Sequence, residues 1–271
     1  MAVPPEYHTL RYGLTDGVGV LTLNRPYVRN AICMDMRAEL ADLVGRLHTD
    51  PTLRVLVLTG ADGHFCAGGD LRALEESARR GETDAVARRQ RLVDLGGLVT
   101  GLLQFDKPIV AAVQGVAYGA GIGLALTADL VLAADDARIS FSFGRLGLVP
   151  DFGILYSLPR IVGLQRAKEL VFSGREIDGR AAQALGLVLE ACPSECVLQR
   201  ALTIAHALAA ASPLALSIAK RALNAAPGND LATMLTLEAD GQGIAMSSPY
   251  HQAALARFHA RQAPAWQWPE H

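Results

Sequence analysis

The chain has 271 residues, 51% of them hydrophobic and 19% charged, so it carries ample material for a core and no disorder signature. Lys plus Arg (25) nearly balance Asp plus Glu (27), and the formal charge of −2 excludes a globally basic nucleic-acid binder. No apolar run reaches the ~18–20 residues of a membrane span. Met1 to Tyr7 lacks the basic and apolar regions of a secretory signal, and four cysteines are too few for a disulfide scaffold. The expectation is a cytoplasmic protein that binds neither membrane nor nucleic acid.

Leu10 to Leu14 and Val18 to Leu23 flank Asp16-Gly17, the turn chemistry of a β-hairpin. Pro26 closes the second strand, and apolar residues at helical spacing (Met36, Leu40, Leu43, Val44, Leu47) predict a helix over Met34 to Leu47, stopped by Asp50-Pro51. Val55 to Leu58 reads as a buried strand running into the glycine-bearing loop Thr59 to Asp70. One charged helical stretch is expected from Leu71 to Leu103, with Arg79, Arg80, Arg88, Arg89 and Arg91 on a solvated face. Ile109 to Val113 is a third buried strand, followed by the densest glycine cluster (Gly115, Gly119, Gly121, Gly123), read as entering a helix that ends near Asp129. Leu130 to Ala133 is another apolar strand. Beyond Val149 the pattern is helical apart from Val188 and Leu189, with Pro193, Pro213, Pro227 and Pro249 at helix starts or breaks. Strands alternating with helices predict an α/β core over 1–195, and 196–271 forms a helical C-terminal region.

Several chemistries are excluded by spacing. The seven histidines show no paired metal-ligand spacing, and Cys192 and Cys196 have no second pair to complete a zinc site, so no metal is expected. A G-x-S-x-G nucleophile elbow is absent. The segment Gly115 to Gly123 follows a strand and opens a helix, yet Leu124 and Leu126 stand where a dinucleotide fingerprint needs a third small residue. Glycines ahead of a helix still leave N–H groups unpaired and let a ligand approach the backbone. His64 to Asp70 forms a second loop of the same character, so the two loops together predict an oxyanion hole, a pair of amide donors aimed at one oxygen.

These residues carry a family resemblance. Asn24-Arg-Pro26, Arg29-Asn-Ala31, Leu58-Thr-Gly60, Phe65-Cys-Ala-Gly-Gly-Asp-Leu71 and Lys107-Pro-Ile-Val-Ala-Ala-Val-Gln-Gly-Val-Ala-Tyr-Gly-Ala-Gly121 resemble the enoyl-CoA hydratase/isomerase (crotonase) family. Gly147-Leu-Val-Pro-Asp151, Gly186-Leu-Val188 and the stretch from Ser212 to Asn224 continue the likeness in order along the chain. The resemblance implies a crotonase-like spiral of ββα units and homo-trimers, often paired into hexamers. It also implies an acyl-CoA thioester substrate; coenzyme A then belongs to the substrate and no separate cofactor is needed. On this likeness the thioester oxygen sits between the N–H groups of Ala67 and Ala120. Residues at Arg25, Arg29, Ala31, Gly69, Asp70 and Leu71 match stretches that line the CoA pocket, and Tyr118, beside Ala120, either contacts substrate or packs.

Two departures from the family pattern bear on the reaction. Its hydratases use two glutamates, whose positions here hold Gly123 and Phe143, neither able to move a proton. Asp151, after Pro150, stands where isomerase members carry an acid that shuttles the proton of a double-bond shift. A single base suffices for that shift, which takes a proton from C2 and returns it at C4. The alternative role for Asp151 is a cap on a helix beginning near Phe152. The expected activity is therefore enoyl-CoA isomerisation (Δ3/Δ2 or ring-type). An enoyl-CoA hydratase or other lyase with a rearranged acid, and a catalytically silent acyl-CoA-binding subunit, are the alternatives.

Overall fold

The computed structural model describes residues 6–81 and 84–270. Residues 1–5 of the N-terminal stretch and the side chain of Arg91 lie outside the described residues. Strand β1 (Leu10–Thr15) pairs antiparallel with β2 (Val18–Leu23) across a turn in which Asp16 and Gly17 both take positive φ, 50° and 80°. That is the two-residue hairpin the Asp-Gly pair encodes. β2 then pairs in parallel with β3 (Val55–Gly60), which is followed across the sheet by β4 (Ile109–Val113), β6 (Leu130–Ala134) and β9 (Glu190–Cys192). Both β3 and β4 are buried along their whole length, as expected of central strands covered on both faces.

A second sheet sits beside the first. It consists of β5 (Val116–Tyr118), β7 (Arg138–Ser140) and β8 (Glu176–Ile177), with β7 in the middle. The chain leaves the large sheet at β4, adds β5 to the small one, and turns into helix α4 (Ala120–Ala125). It repeats the step with β6, β7 and the helices α5 (Ile154–Val162) and α6 (Leu164–Ser173). This is the repeating ββα spiral that the sequence resemblance implies. Strands β5, β7 and β8 escape sequence reading because two or three residues are too few to show alternation. The glycine cluster accordingly spans a strand before its helix, and that helix ends at Ala125, not near Asp129.

Other boundaries shift for identifiable reasons. The expected single helix from Leu71 to Leu103 is two, α2 (Leu71–Arg79) and α3 (Ala85–Leu103), with Asp84 capping the second through the Val86 N–H. The described arginines of that face, Arg79, Arg80, Arg88 and Arg89, are exposed. The break in the helical pattern at Val188 and Leu189 leads into strand β9, which begins at Glu190. A charged residue reads as surface, yet Glu190 is buried because Arg200 binds both its oxygens at 2.7 and 2.9 Å.

Helix α1 (Met34–Thr49) buries Met36, Leu40, Leu43, Val44 and Leu47 and packs against α3. Helix α7 (Gly179–Ala184) leads into β9, and α8 (Val197–Ala209) lies across β2, β3, β4 and β6 with Val197, Ala201, Ile204 and Ala205 buried. The arm with little buried surface starts after it, with α9 (Pro213–Ala225), α10 (Leu231–Met246) and α11 (Pro249–His259). Lys220 ties α9 to the sheet, its Nζ 2.7 Å from Asp129 and 3.0 Å from the Lys107 carbonyl. The Arg200 guanidinium also donates to the carbonyls of Pro269 and Glu270, which anchors the tail on α8. No single described helix is long and apolar enough to cross a membrane.

Candidate active site

The two glycine-bearing loops are stitched together by backbone. Cys66 donates to the Val116 carbonyl at 2.9 Å and accepts from the Tyr118 N–H at 3.0 Å. Close approach makes glycine obligatory on each side of this seam. A Cβ on Gly68 would lie 2.7 Å from the Tyr118 carbonyl oxygen, and one on Gly121 would lie 2.3 Å from that of Cys66. Both are far inside contact distance, so any side chain would part the loops.

Most amide donors of the first loop are taken up by protein acceptors, and the remainder is left for a ligand. The Ala67 N–H bonds the Arg29 carbonyl at 2.9 Å, Gly68 N–H bonds the Cys66 sulfur at 3.4 Å, and Asp70 N–H bonds the Ile32 carbonyl at 3.0 Å. Gly69 N–H meets no protein acceptor among the described residues. Ala67, the donor expected from the sequence, is therefore spent on the fold, and the free donor lies two residues later. The physical reason is the local parallel bridge between Ile32 and Gly69, which bonds the groups on either side and turns the Gly69 amide away from its neighbour strand. In the second loop, α4 opens on Gly119 without a side-chain cap, and the Ala120 N–H has no protein acceptor among the described residues. That N–H is left available to a ligand.

The 24–32 segment braces the first loop. Arg25 Nη1 reaches the Asp70 carboxylate at 2.9 Å and the Ala31 carbonyl at 2.7 Å, with both side chains of the ion pair largely buried. Asn30, wholly buried, accepts from the Arg25 N–H and donates to the carbonyls of Ala61 and His64. The structure thus brings together Arg25, Ala31, Gly69 and Asp70. Arg29 and Leu71 sit alongside with exposed side chains. Tyr118 is engaged by protein. Its hydroxyl bonds Glu176, which is also held by Arg138 at 2.9 Å, and burial together with that carboxylate raises the phenol pKa.

Asp151 lies where the chain doubles back between a 3₁₀ turn (Ser142–Leu146) and α5. Phe152 takes φ +51° and Gly153 φ +73°, two left-handed residues in succession. A buried aromatic held in that region is strained, and its packing against Gly123 sustains the conformation. Helix α5 starts at Ile154 after Gly153 and has no side-chain cap, so the capping role for Asp151 is not what the fold uses. Its Oδ1 is buried without a hydrogen-bond partner, and burial raises its pKa above the ordinary carboxylate value against an opposing pull from Arg37. Arg37 itself, on α1, has a buried Nε with no partner. Sequence reasoning passed over Arg37. Its one signal is a cation in the first turn of a helix, where the dipole favours anions.

The family model for enoyl-CoA hydratase/isomerase matches residues 13–269. The chain belongs to the enoyl-CoA hydratase/isomerase family. It is 36% identical over 248 residues to 1,2-epoxyphenylacetyl-CoA isomerase of Escherichia coli K12, covering 92% of this chain and 94% of that one. It is 40% identical over 205 residues to 2,3-dehydroadipyl-CoA hydratase of the same organism, covering 75% and 77%. Among solved structures, an enoyl-CoA hydratase/isomerase from Cupriavidus metallidurans CH34 superposes with a TM-score of 0.92 at 41% identity, covering 98% of this chain and 99% of that one.

Within this family the two positions that departed from the hydratase pattern are closed by packing. Phe143 is buried, with its ring 3.5 Å from where a Cβ on Gly119 would lie. At Gly123 a Cβ would stand 2.7 Å from the Phe152 Cβ and 3.0 Å from Ile154. Gly123→Glu is accordingly expected to lower the melting temperature, by overpacking worth roughly 1–3 kcal/mol, and to confer no hydration of a 2-enoyl-CoA. A stable variant that adds water would show that this position remains open to an acid.

Proposed function

We propose that the protein is an enoyl-CoA isomerase that shifts a double bond between the 3- and 2-positions with Asp151 as its only base. The observation that carries this reading is the Asp151 carboxyl: partly buried, free of any helix-capping role, with Oδ1 buried and unpartnered and its pKa raised, in a fold where Gly123 and Phe143 supply no second acid. The thioester oxygen accepts the N–H groups of Gly69 and Ala120. Asp151 takes a proton from C2, the electron pair delocalises into the thioester and the 3,4 double bond, and the dienolate oxygen is held by the two amides. The same carboxyl then returns the proton at C4, which restores the base and leaves the 2-enoyl thioester. The amide pair is what makes C2 acidic enough, because charge develops on that oxygen in the transition state.

Two relatives bear opposite names, isomerase and hydratase, and one incubation separates the readings. A 3-enoyl-CoA should become the conjugated 2-enoyl-CoA, with a rise in ultraviolet absorbance and no change in mass. Conversion of a 2-enoyl-CoA to a product heavier by one water would support a hydratase, and binding without turnover would support a silent subunit.

The same reading includes assembly as a homo-trimer or a hexamer. Helix α10 buries only Gly241 and α11 buries nothing, while Leu231, Leu235, Ile244, Met246 and Phe258 are exposed. Apolar surface of that extent is normally covered by another chain. Sedimentation at micromolar concentration should show an oligomer, and a stable monomer would overturn this part of the proposal.

A further inference from the structure

Two buried polar atoms near the proposed reaction centre have no hydrogen-bond partner, Arg37 Nε and Asp151 Oδ1. The Arg37 side chain makes no hydrogen bond or ion pair with any described residue. This sets it apart from other partly buried arginines of the fold, since Arg25 closes on Asp70 at 2.9 Å and Arg200 on Glu190 at 2.7 Å. Arg37 and Asp151 feel each other's charge, yet no nitrogen and oxygen of the two come within ion-pair distance. An arginine that only neutralised the acid would gain most by closing into the bidentate geometry its planar fork favours. Held apart, the buried Nε and Oδ1 each pay the cost of burial without a partner unless something else supplies one.

The position of Arg37 says what that partner is attached to. Ile32 is bonded on both sides to the loop that carries Gly69, accepting from Asp70 and donating to the Gly68 carbonyl at 2.7 Å. Helix α1 starts two residues later, and the Arg37 N–H bonds the Cys33 carbonyl at 3.1 Å, which fixes Arg37 one turn above that seam. The root of Arg37 therefore stands beside the loop that carries Gly69, and its guanidinium lies within electrostatic reach of the Asp151 carboxyl.

We infer that Arg37 reads an oxygen carried by the acyl group, so that the natural substrate is an oxygenated acyl-CoA and not a plain alkyl enoyl-CoA. A carboxylate, a hydroxyl or an epoxide oxygen placed a few carbons from the thioester would each satisfy the guanidinium; none leaves a donor stranded as a methylene does. The inference rests on the reading that the acyl chain runs from the amide pair towards Asp151. Arg37 is a specificity residue in this scheme and takes no part in moving the proton.

Binding of saturated acyl-CoAs tests this without depending on turnover, since they cannot isomerise. Calorimetric Kd values would be compared for matched short chains ending in methyl, hydroxyl or carboxylate, with the wild type, Arg37→Met and Arg37→Lys. The wild type should prefer an oxygenated chain over its methyl-ended match by roughly tenfold to a hundredfold, the worth of a hydrogen bond to a charged group. Arg37→Met should abolish that ratio, and Arg37→Lys, which keeps charge without the fork, should restore part of it. The hydroxyl and carboxylate arms say which oxygen is read. No preference in the wild type, or a preference that survives in Arg37→Met, overturns the inference. An equal loss of affinity for all three chains, together with a shifted pH–rate profile, also overturns it, because Arg37 would then act through Asp151 alone. Failure of the isomerase assay leaves these ratios readable, so the two readings can fall separately.

Discussion

Asp151→Asn is expected to leave the protein folded while slowing isomerisation by roughly 10²–10⁴-fold, the usual worth of a positioned general base. Asparagine keeps the shape of the side chain and removes only its ability to hold a proton. Stability should be unchanged or raised. A carboxyl whose folded pKa is raised by burial favours the native state below its unfolded pKa, and that contribution is lost as pH rises through the folded value. Above that folded value the wild type carries a partly buried ionised acid, and the amide relieves it. The same shift sets the pH dependence of the rate. Only the carboxylate takes the proton, so activity should decline as pH falls through the raised Asp151 pKa, at higher pH than an exposed aspartate would allow. Melting temperature and rate measured on one sample decide the matter. A wild-type rate in the folded variant would remove Asp151 from the mechanism.

What the sequence made legible follows how each feature is encoded. Burial is written in runs of apolar residues, so the hairpin, α1, β3, β4 and β6 are visible with boundaries within two residues. The small sheet is not, because three-residue strands are defined by where the previous strand delivers them. Glu190 hides the start of β9 for another reason: its burial depends on Arg200, ten positions away, and no local pattern announces that pairing. At the site, the glycine loops are readable because glycine marks close approach, and Ala120 could be named from its place at a helix start. Gly69 could not be told from Ala67 by spacing. The choice depends on which carbonyls the 24–32 segment offers, and Arg29 happens to offer one to Ala67. The loss of the hydratase acids was plain in the sequence. That the space had also been filled, by Phe152 and Ile154 at Gly123, is a property of packing alone.

Ala120→Pro is expected to lower kcat by roughly 10²–10³-fold, the typical result of deleting one oxyanion donor, or about 2.7–4 kcal/mol of transition-state stabilisation. The substitution suits the backbone, since Ala120 is the first residue of α4, where proline is tolerated and the missing N–H breaks no helical hydrogen bond. Helix and fold should survive, as far-ultraviolet circular dichroism and melting temperature would register. Affinity for coenzyme A without its acyl group should stay near wild type, because the amide addresses the thioester oxygen and not the nucleotide. The companion variant Ala67→Pro makes the contrast. Its N–H serves the Arg29 carbonyl at 2.9 Å, so its loss should reduce stability and loosen the loop, with the rate falling in proportion to the fraction unfolded. Catalytic loss in Ala120→Pro at full stability, set against stability loss in Ala67→Pro, would place the hole at Ala120 and the free Gly69 amide. A fully active, folded Ala120→Pro would show that charge on the thioester oxygen is stabilised elsewhere.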